Sequence, residues 1–322
     1  MINVNYFISI LVLIGMLTVY NKILKQDEQK CQLKKYKQYL IEYNSSETVD
    51  LDKPILWIHV EHEKNSRWWQ SFYSRNSEYL NQPYVFLTIK SIIKNNYKDF
   101  NICMIDDDSF NYIIPGWNHN IALMANPIKS HIRQLALAKM LSIYGGLLVP
   151  KTFVCTKSLI TMYNSGLNNK NMFMCENLPK SILSSKVYYY PNTNFIGCKA
   201  KCHEIIELTD FIATNISKNF TDELKFSGTI DKFCYDMAVN NKVDIICGSK
   251  IGVKDINNKQ IQIEELFEAN EIKLSQGHFG LYIPETEILN RVKYNYFPRM
   301  SVNQVLESNT FLCNYIRYST MQ

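Results

Sequence analysis

Residues 2–20 contain no charged side chain, and the run 7–17 places apolar residues on every face of a helix. A helix of roughly 20 residues crosses about 30 Å of hydrocarbon. The pattern therefore predicts a transmembrane anchor over 1–21. It is predicted to stay uncleaved, because no basic region precedes the run and no small-x-small site lies before Lys22. Lysines 22, 25, 30, 34, 35 and 37 all follow the run, which by the positive-inside rule keeps the remainder cytoplasmic, while three Asn-x-Ser/Thr sequons point to a lumen. The predicted localisation is a single-pass membrane protein with the side left open. Residues 22–52 are polar and charged and read as a stalk, helical over 32–43, that holds a folded domain at 53–322.

From Pro54 onward the pattern changes. Short apolar runs at 55–60, 100–105 and 147–149 have the length and content of strands buried on both faces. Between them lie two stretches of helical period. One starts at Pro83 and carries Val85, Ile89, Ile92 and Ile93; the other starts at Asn126-Pro127 and carries Ile132, Leu135, Ala136, Met140, Leu141 and Ile143. Gly145 can supply the left-handed residue that ends the second. Strand, helix, strand, helix, strand is the signature of a parallel α/β sheet. Further on, 187–190, 194–198 and 243–247 read as strands, 203–217 and 231–240 as helices, and 280–300 as an aromatic tail packed back on the core.

Composition narrows the function classes. A chain of 322 residues with 46% apolar content buries a substantial core, and a net charge of +5 is too mild for a dedicated nucleic-acid binder. The nine cysteines have irregular spacing and make no disulfide framework. Cys198, Cys202 and His203 have no second ligand pair at zinc-finger spacing. No Walker loop or dinucleotide fingerprint occurs, and no Ser-His-Asp or Cys-His pair stands out.

In open α/β sheets ligands bind beyond the carboxyl ends of the strands. Three segments meet that condition: 59–63 with His59, the run Asp106-Asp107-Asp108, and Pro150-Lys151-Thr152. Each has two readings. His59 in an apolar run is a satisfied core histidine or a ligand contact. The three aspartates are a helix cap with a first-turn acidic cluster, or a metal or ribose contact. Trp68, Trp69 and Tyr188–Tyr190 either stack on sugar rings or fill surface and core.

The strand opened by Pro54, the segment 100–110 (FNICMIDDDSF), the helix leading into Tyr144-Gly145-Gly146, and 194–198 together resemble a GT-A glycosyltransferase. Within that group the capsular polysaccharide synthesis family and its DxD-containing, mannosyltransferase-like relatives are the more similar, over residues 54–202. The resemblance implies a GT-A-like, mostly parallel α/β sheet flanked by helices, here behind a transmembrane helix. It implies transfer of a sugar from a nucleotide-sugar donor to a glycan or polysaccharide acceptor. Asp107 and Asp108 would be catalytic, and His59, Asp106, Arg133, Gly145, Gly146, Lys151 and Thr152 would bind substrate.

The departures are specific. The family's acid eleven residues before the first glycine is Gln134, its arginine eight before is Leu137, and the metal-binding acid four after the second glycine is Pro150. Only Thr152 matches. Mg²⁺ or Mn²⁺ normally neutralises the leaving diphosphate; here a metal-independent site would use Lys151 and Arg133, which lies one helical turn before Leu137. The alternative is a catalytically inactive relative, serving as a glycan-binding or structural membrane or virion component.

Overall fold

The computed structural model describes residues 4–41, 49–61, 82–177, 190–218 and 223–321. Its centre is a six-stranded sheet in the order β2-β1-β3-β6-β5-β7. The strands are β1 (Ile55–His59), β2 (Asn101–Ile105), β3 (Gly146–Val149), β5 (Met172–Asn177), β6 (Tyr190–Cys198) and β7 (Asp244–Ile246). β4 (Phe153–Cys155) and β8 (Gly280–Tyr282) form a separate antiparallel pair.

The βαβ periodicity describes the first half of this sheet, where β1 runs parallel to both β2 and β3. Beyond β3 the expectation of a mostly parallel GT-A-like sheet is corrected. β6 is antiparallel to both of its neighbours, β3 and β5, and only β5–β7 returns to parallel pairing. The architecture is a mixed sheet flanked by helices, loosely Rossmann-like. The physical reason is that β6 lies beside β5, its predecessor in the chain, and two consecutive strands can pair antiparallel without a crossover helix.

The helices distribute over two cores. On one face α2 (Tyr84–Asn96) buries Val85, Leu87, Ile89 and Ile92, and α10 (Val302–Glu307) and α11 (Phe311–Met321) pack against it. The short α5 (Ile160–Gly166), α8 (Ile263–Leu266) and α9 (Glu285–Asn290) complete that side. On the other face α3 (Phe110–Ile113), α4 (Ile128–Tyr144), α6 (His203–Lys218) and α7 (Glu223–Val239) enclose the second core.

The Tyr-Gly-Gly unit couples α4 to the sheet by backbone geometry. Gly145 has φ +66° and Gly146 φ +98°, conformations that a Cβ disfavours. A Cβ on Gly146 would lie 2.3 Å from the Ile55 carbonyl oxygen. The fully buried Trp57 donates its indole N–H to the Gly145 carbonyl at 2.9 Å, which fixes the helix end against β1.

The amino-terminal stretch is also corrected. Val4–Tyr36 is one continuous helix, α1, whose second half carries Lys, Asp, Glu and Gln. Tyr36, at its end, packs edge-on against Trp57 and Tyr144 at 5.9 and 5.7 Å. Just beyond it, Ile41 donates its backbone N–H to the Ile102 carbonyl at 2.9 Å. Among the described residues no helix is long and apolar enough to cross a membrane. The transmembrane helix, the membrane partnership and the single-pass localisation expected from the sequence are withdrawn on that finding. The side chains of residues 1–13 lie outside those described.

Two glycine substitutions separate close approach from mere backbone strain. Gly116 has φ +70° but open space around it, so Gly116→Ala should cost about 1 kcal/mol. Gly146→Ala must also push β1 and β3 apart and should cost about 3 kcal/mol or more. Urea unfolding of the full chain measures both, and equal losses would contradict the role assigned to Gly146.

Candidate functional site

The carboxyl ends of β1, β2 and β3 converge with α4 around one guanidinium. Arg133, only 8% exposed, donates from Nε to Asp107 Oδ1 at 2.8 Å and from Nη2 to Asp107 Oδ2 at 2.7 Å. Its Nη1 lies 2.9 Å from Glu61 Oε1. The planar fork of Arg suits this bidentate arrangement, which a lysine could not reproduce. His59 Nε2 reaches Asp107 Oδ1 at 3.1 Å, and its ring stacks on the buried Phe110 at 5.4 Å. Lys151 Nζ sits 3.2 Å from Glu285 Oε1 and 3.7 Å from Glu61 Oε2.

Burial opposes ionisation of Asp107. The hydrogen bonds from His59 and Arg133, together with their charges, outweigh it and hold the carboxyl well below the usual carboxylate range. Because this pair is largely shielded from water, removing one partner leaves a buried unpaired charge and costs more than breaking an exposed ion pair.

The residues singled out from the sequence separate into distinct places. Among the aspartates, Asp106 accepts from the Ser109 N–H at 2.9 Å while its own N–H donates to Ser109 Oγ at 3.1 Å, forming the turn into α3. Asp107 belongs to the ion-pair cluster, and Asp108 is exposed. Gly145 and Gly146 sit at the start of β3, at the opposite end of that strand from Lys151. His59, Arg133, Lys151 and the buried Thr152 line a common cleft. Trp68, Trp69, Tyr188 and Tyr189 lie outside the described residues. His203 points outward, with its ring nitrogen 4.0 Å from Glu207. Among the described residues no group of three or more His, Cys, Asp or Glu side chains is placed to hold a metal ion.

The cleft is a cavity of about 290 Å³. Besides the charged cluster its wall includes Asp231, the apolar Leu148 and Val149, and neutral polar groups such as Gln134, Asn177, Thr193 and Asn194. Gln134 Nε2 donates to Thr193 Oγ1 at 2.8 Å across it. A second cavity of about 290 Å³ adjoins the first and shares Glu61, Arg133, Lys151 and Glu285 with it.

Glu285 escaped the sequence reading because no local pattern marks a glutamate in a distant segment as the partner of Lys151. Glu61 left a weak signal, lying in the segment that follows β1. Gln134 was marked only as a departure from the glycosyltransferase pattern.

The sugar-transfer function, with a nucleotide-sugar donor and a glycan acceptor at a membrane, is corrected on two findings. No described helix could serve as the anchor. Arg133 and Lys151, the cations expected to face a diphosphate, are both engaged by carboxylates. Comparison with protein-family models, with characterised proteins and with solved structures gave no match.

Asp107 makes stability pH-dependent. Its folded pKa is depressed, so the unfolded chain binds more protons as pH falls below about 4, and the contribution of the pair is present above that pH and lost below it. Asp107→Asn should cost about 3 kcal/mol at pH 7, because it leaves Arg133 with Glu61 alone. The gap between wild type and variant should narrow as pH drops from about 4 toward 2. Denaturant midpoints at pH 7, 4 and 3 check this; a gap independent of pH would overturn it.

Proposed function

We propose that this cleft binds a small, hydroxyl-rich molecule without an anionic group. No transfer step is assigned to the protein.

One observation carries the ligand class. Arg133 and Lys151 contribute two positive charges, while Asp107, Glu61 and Glu285 contribute three negative ones within 3.7 Å of them. These five side chains sum to one negative charge. A diphosphate brought to about 6 Å would meet a repulsion of about 3 kcal/mol per added charge at an effective dielectric of about 20. Displacing Asp107 or Glu61 from Arg133 would expose a second penalty of similar size. Hydroxyl groups meet neither cost. They both donate and accept, so the amides and hydroxyls of Gln134, Asn177, Thr193 and Asn194 suit them without any change in charge.

The reading is tested by calorimetric titration of the full chain with glucose, as a neutral hydroxyl-rich probe, and with uridine diphosphate. Glucose should bind saturably, and Gln134→Leu should weaken it about tenfold, the loss of roughly one neutral hydrogen bond. Uridine diphosphate should bind more weakly than glucose. Tighter binding of the diphosphate would overturn the reading.

A further inference from the structure

We infer that Cys202 is a peroxide-reactive thiol and Cys198 its resolving partner, the two closing reversibly to a disulfide at the amino end of α6. The inference is independent of the strand-end cleft. Cys198 pairs with Gly146 at the start of β3, the end of that strand remote from Lys151.

The chain brings the two sulfurs together over a short path. β6 ends at Cys198 and α6 begins at His203. Between them the Cys202 backbone N–H donates to the Lys199 carbonyl at 3.4 Å, and Lys201 takes φ +58°, so the reversal is a tight turn. The turn is also held from outside. The Lys201 N–H donates to the Ser142 carbonyl at 2.8 Å, and the Lys199 N–H to the Asn171 carbonyl at 2.9 Å. Within it the two thiols, both reduced, are hydrogen-bonded to each other.

The two members are chemically unequal. Cys198 is fully enclosed, whereas Cys202 is 8% exposed and is the sulfur a small oxidant meets. The Cys198 thiol donates to the Cys202 sulfur, which lowers the pKa of Cys202 and raises that of Cys198. The other acceptor near Cys198, the Leu141 carbonyl at 3.7 Å, is neutral and weaker than a thiolate. Cys202 immediately precedes α6, and its sulfur also accepts from the Ile205 backbone N–H in the first turn, where a negative charge is favoured. Partial burial and Glu204 oppose these contacts without cancelling them. Burial pushes the Cys103, Cys155, Cys175 and Cys234 thiols the other way.

The step balances with hydrogen peroxide as the oxidant. The Cys202 thiolate attacks one peroxide oxygen, the O–O bond breaks, and the other oxygen leaves as water with the thiol proton, giving a sulfenic acid. The Cys198 sulfur then attacks the Cys202 sulfur, the S–O bond breaks, and the hydroxyl leaves as water with the Cys198 proton. Two thiols are oxidised by two electrons and one peroxide is reduced to two waters.

The test treats the full chain at pH 7 with one equivalent of hydrogen peroxide, blocks remaining thiols with iodoacetamide and maps the peptides by mass spectrometry. The Cys198–Cys202 link should form about tenfold faster than oxidation of the exposed Cys31 and Cys247, and dithiothreitol should reverse it. Exposure by itself predicts the opposite order. Oxidation of Cys31 or Cys247 ahead of the pair, or no link between Cys198 and Cys202, would overturn the inference, and both are read on the wild-type protein. In Cys198→Ser, checked for cooperative melting, dimedone should capture a sulfenic acid at Cys202. No capture there would remove Cys202 as the attacking sulfur.

Discussion

The bidentate contact between Arg133 and Asp107 is the constraint around which the cleft is arranged. It ties α4 to the end of β2, and through Glu61 it ties both to the end of β1. Three segments far apart in the chain thereby meet in one hydrogen-bonded cluster at the carboxyl edge of the parallel strands. A guanidinium this shielded needs carboxylates around it, since an unpaired buried charge costs several kcal/mol. Those carboxylates in turn decide what else the site can accept.

The same compensation separates this cleft from an anion-binding one. Lys151 is drawn between Glu61 and Glu285 and away from any free role. Glu285 reaches it from α9, and Gln82 steadies that glutamate from the approach to α2. The positive charge thus serves to close the carboxyl-terminal segment onto the sheet. The open face that remains is polar and divided into two chambers of similar size.

At the other end of the sheet the Tyr-Gly-Gly unit has a structural task. Gly145 and Gly146 let α4 end and β3 begin within contact of Ile55 and Trp57, and Tyr144 and Trp57 provide the aromatic surface on which Tyr36 rests. A motif that looks chemical in sequence is here a packing device. It sets the register of β3 beside β1, and that register delivers Lys151 to the cleft one strand-length away.

The sequence by itself determined the parallel β1–β3 half of the sheet, because two-faced burial and helical period are local patterns written in runs such as 55–60 and 132–143. It also singled out His59, Asp107, Arg133 and Lys151 near the strand ends, and the structure brings these four together. Only the tertiary structure decided the antiparallel insertion of β6, since strand direction depends on which neighbour a strand meets. Only the tertiary structure gave Lys151 its partner Glu285 and left Asp106, Asp107 and Asp108 in three different environments. Charge compensation is a property of distances, and distances between remote segments are fixed by packing.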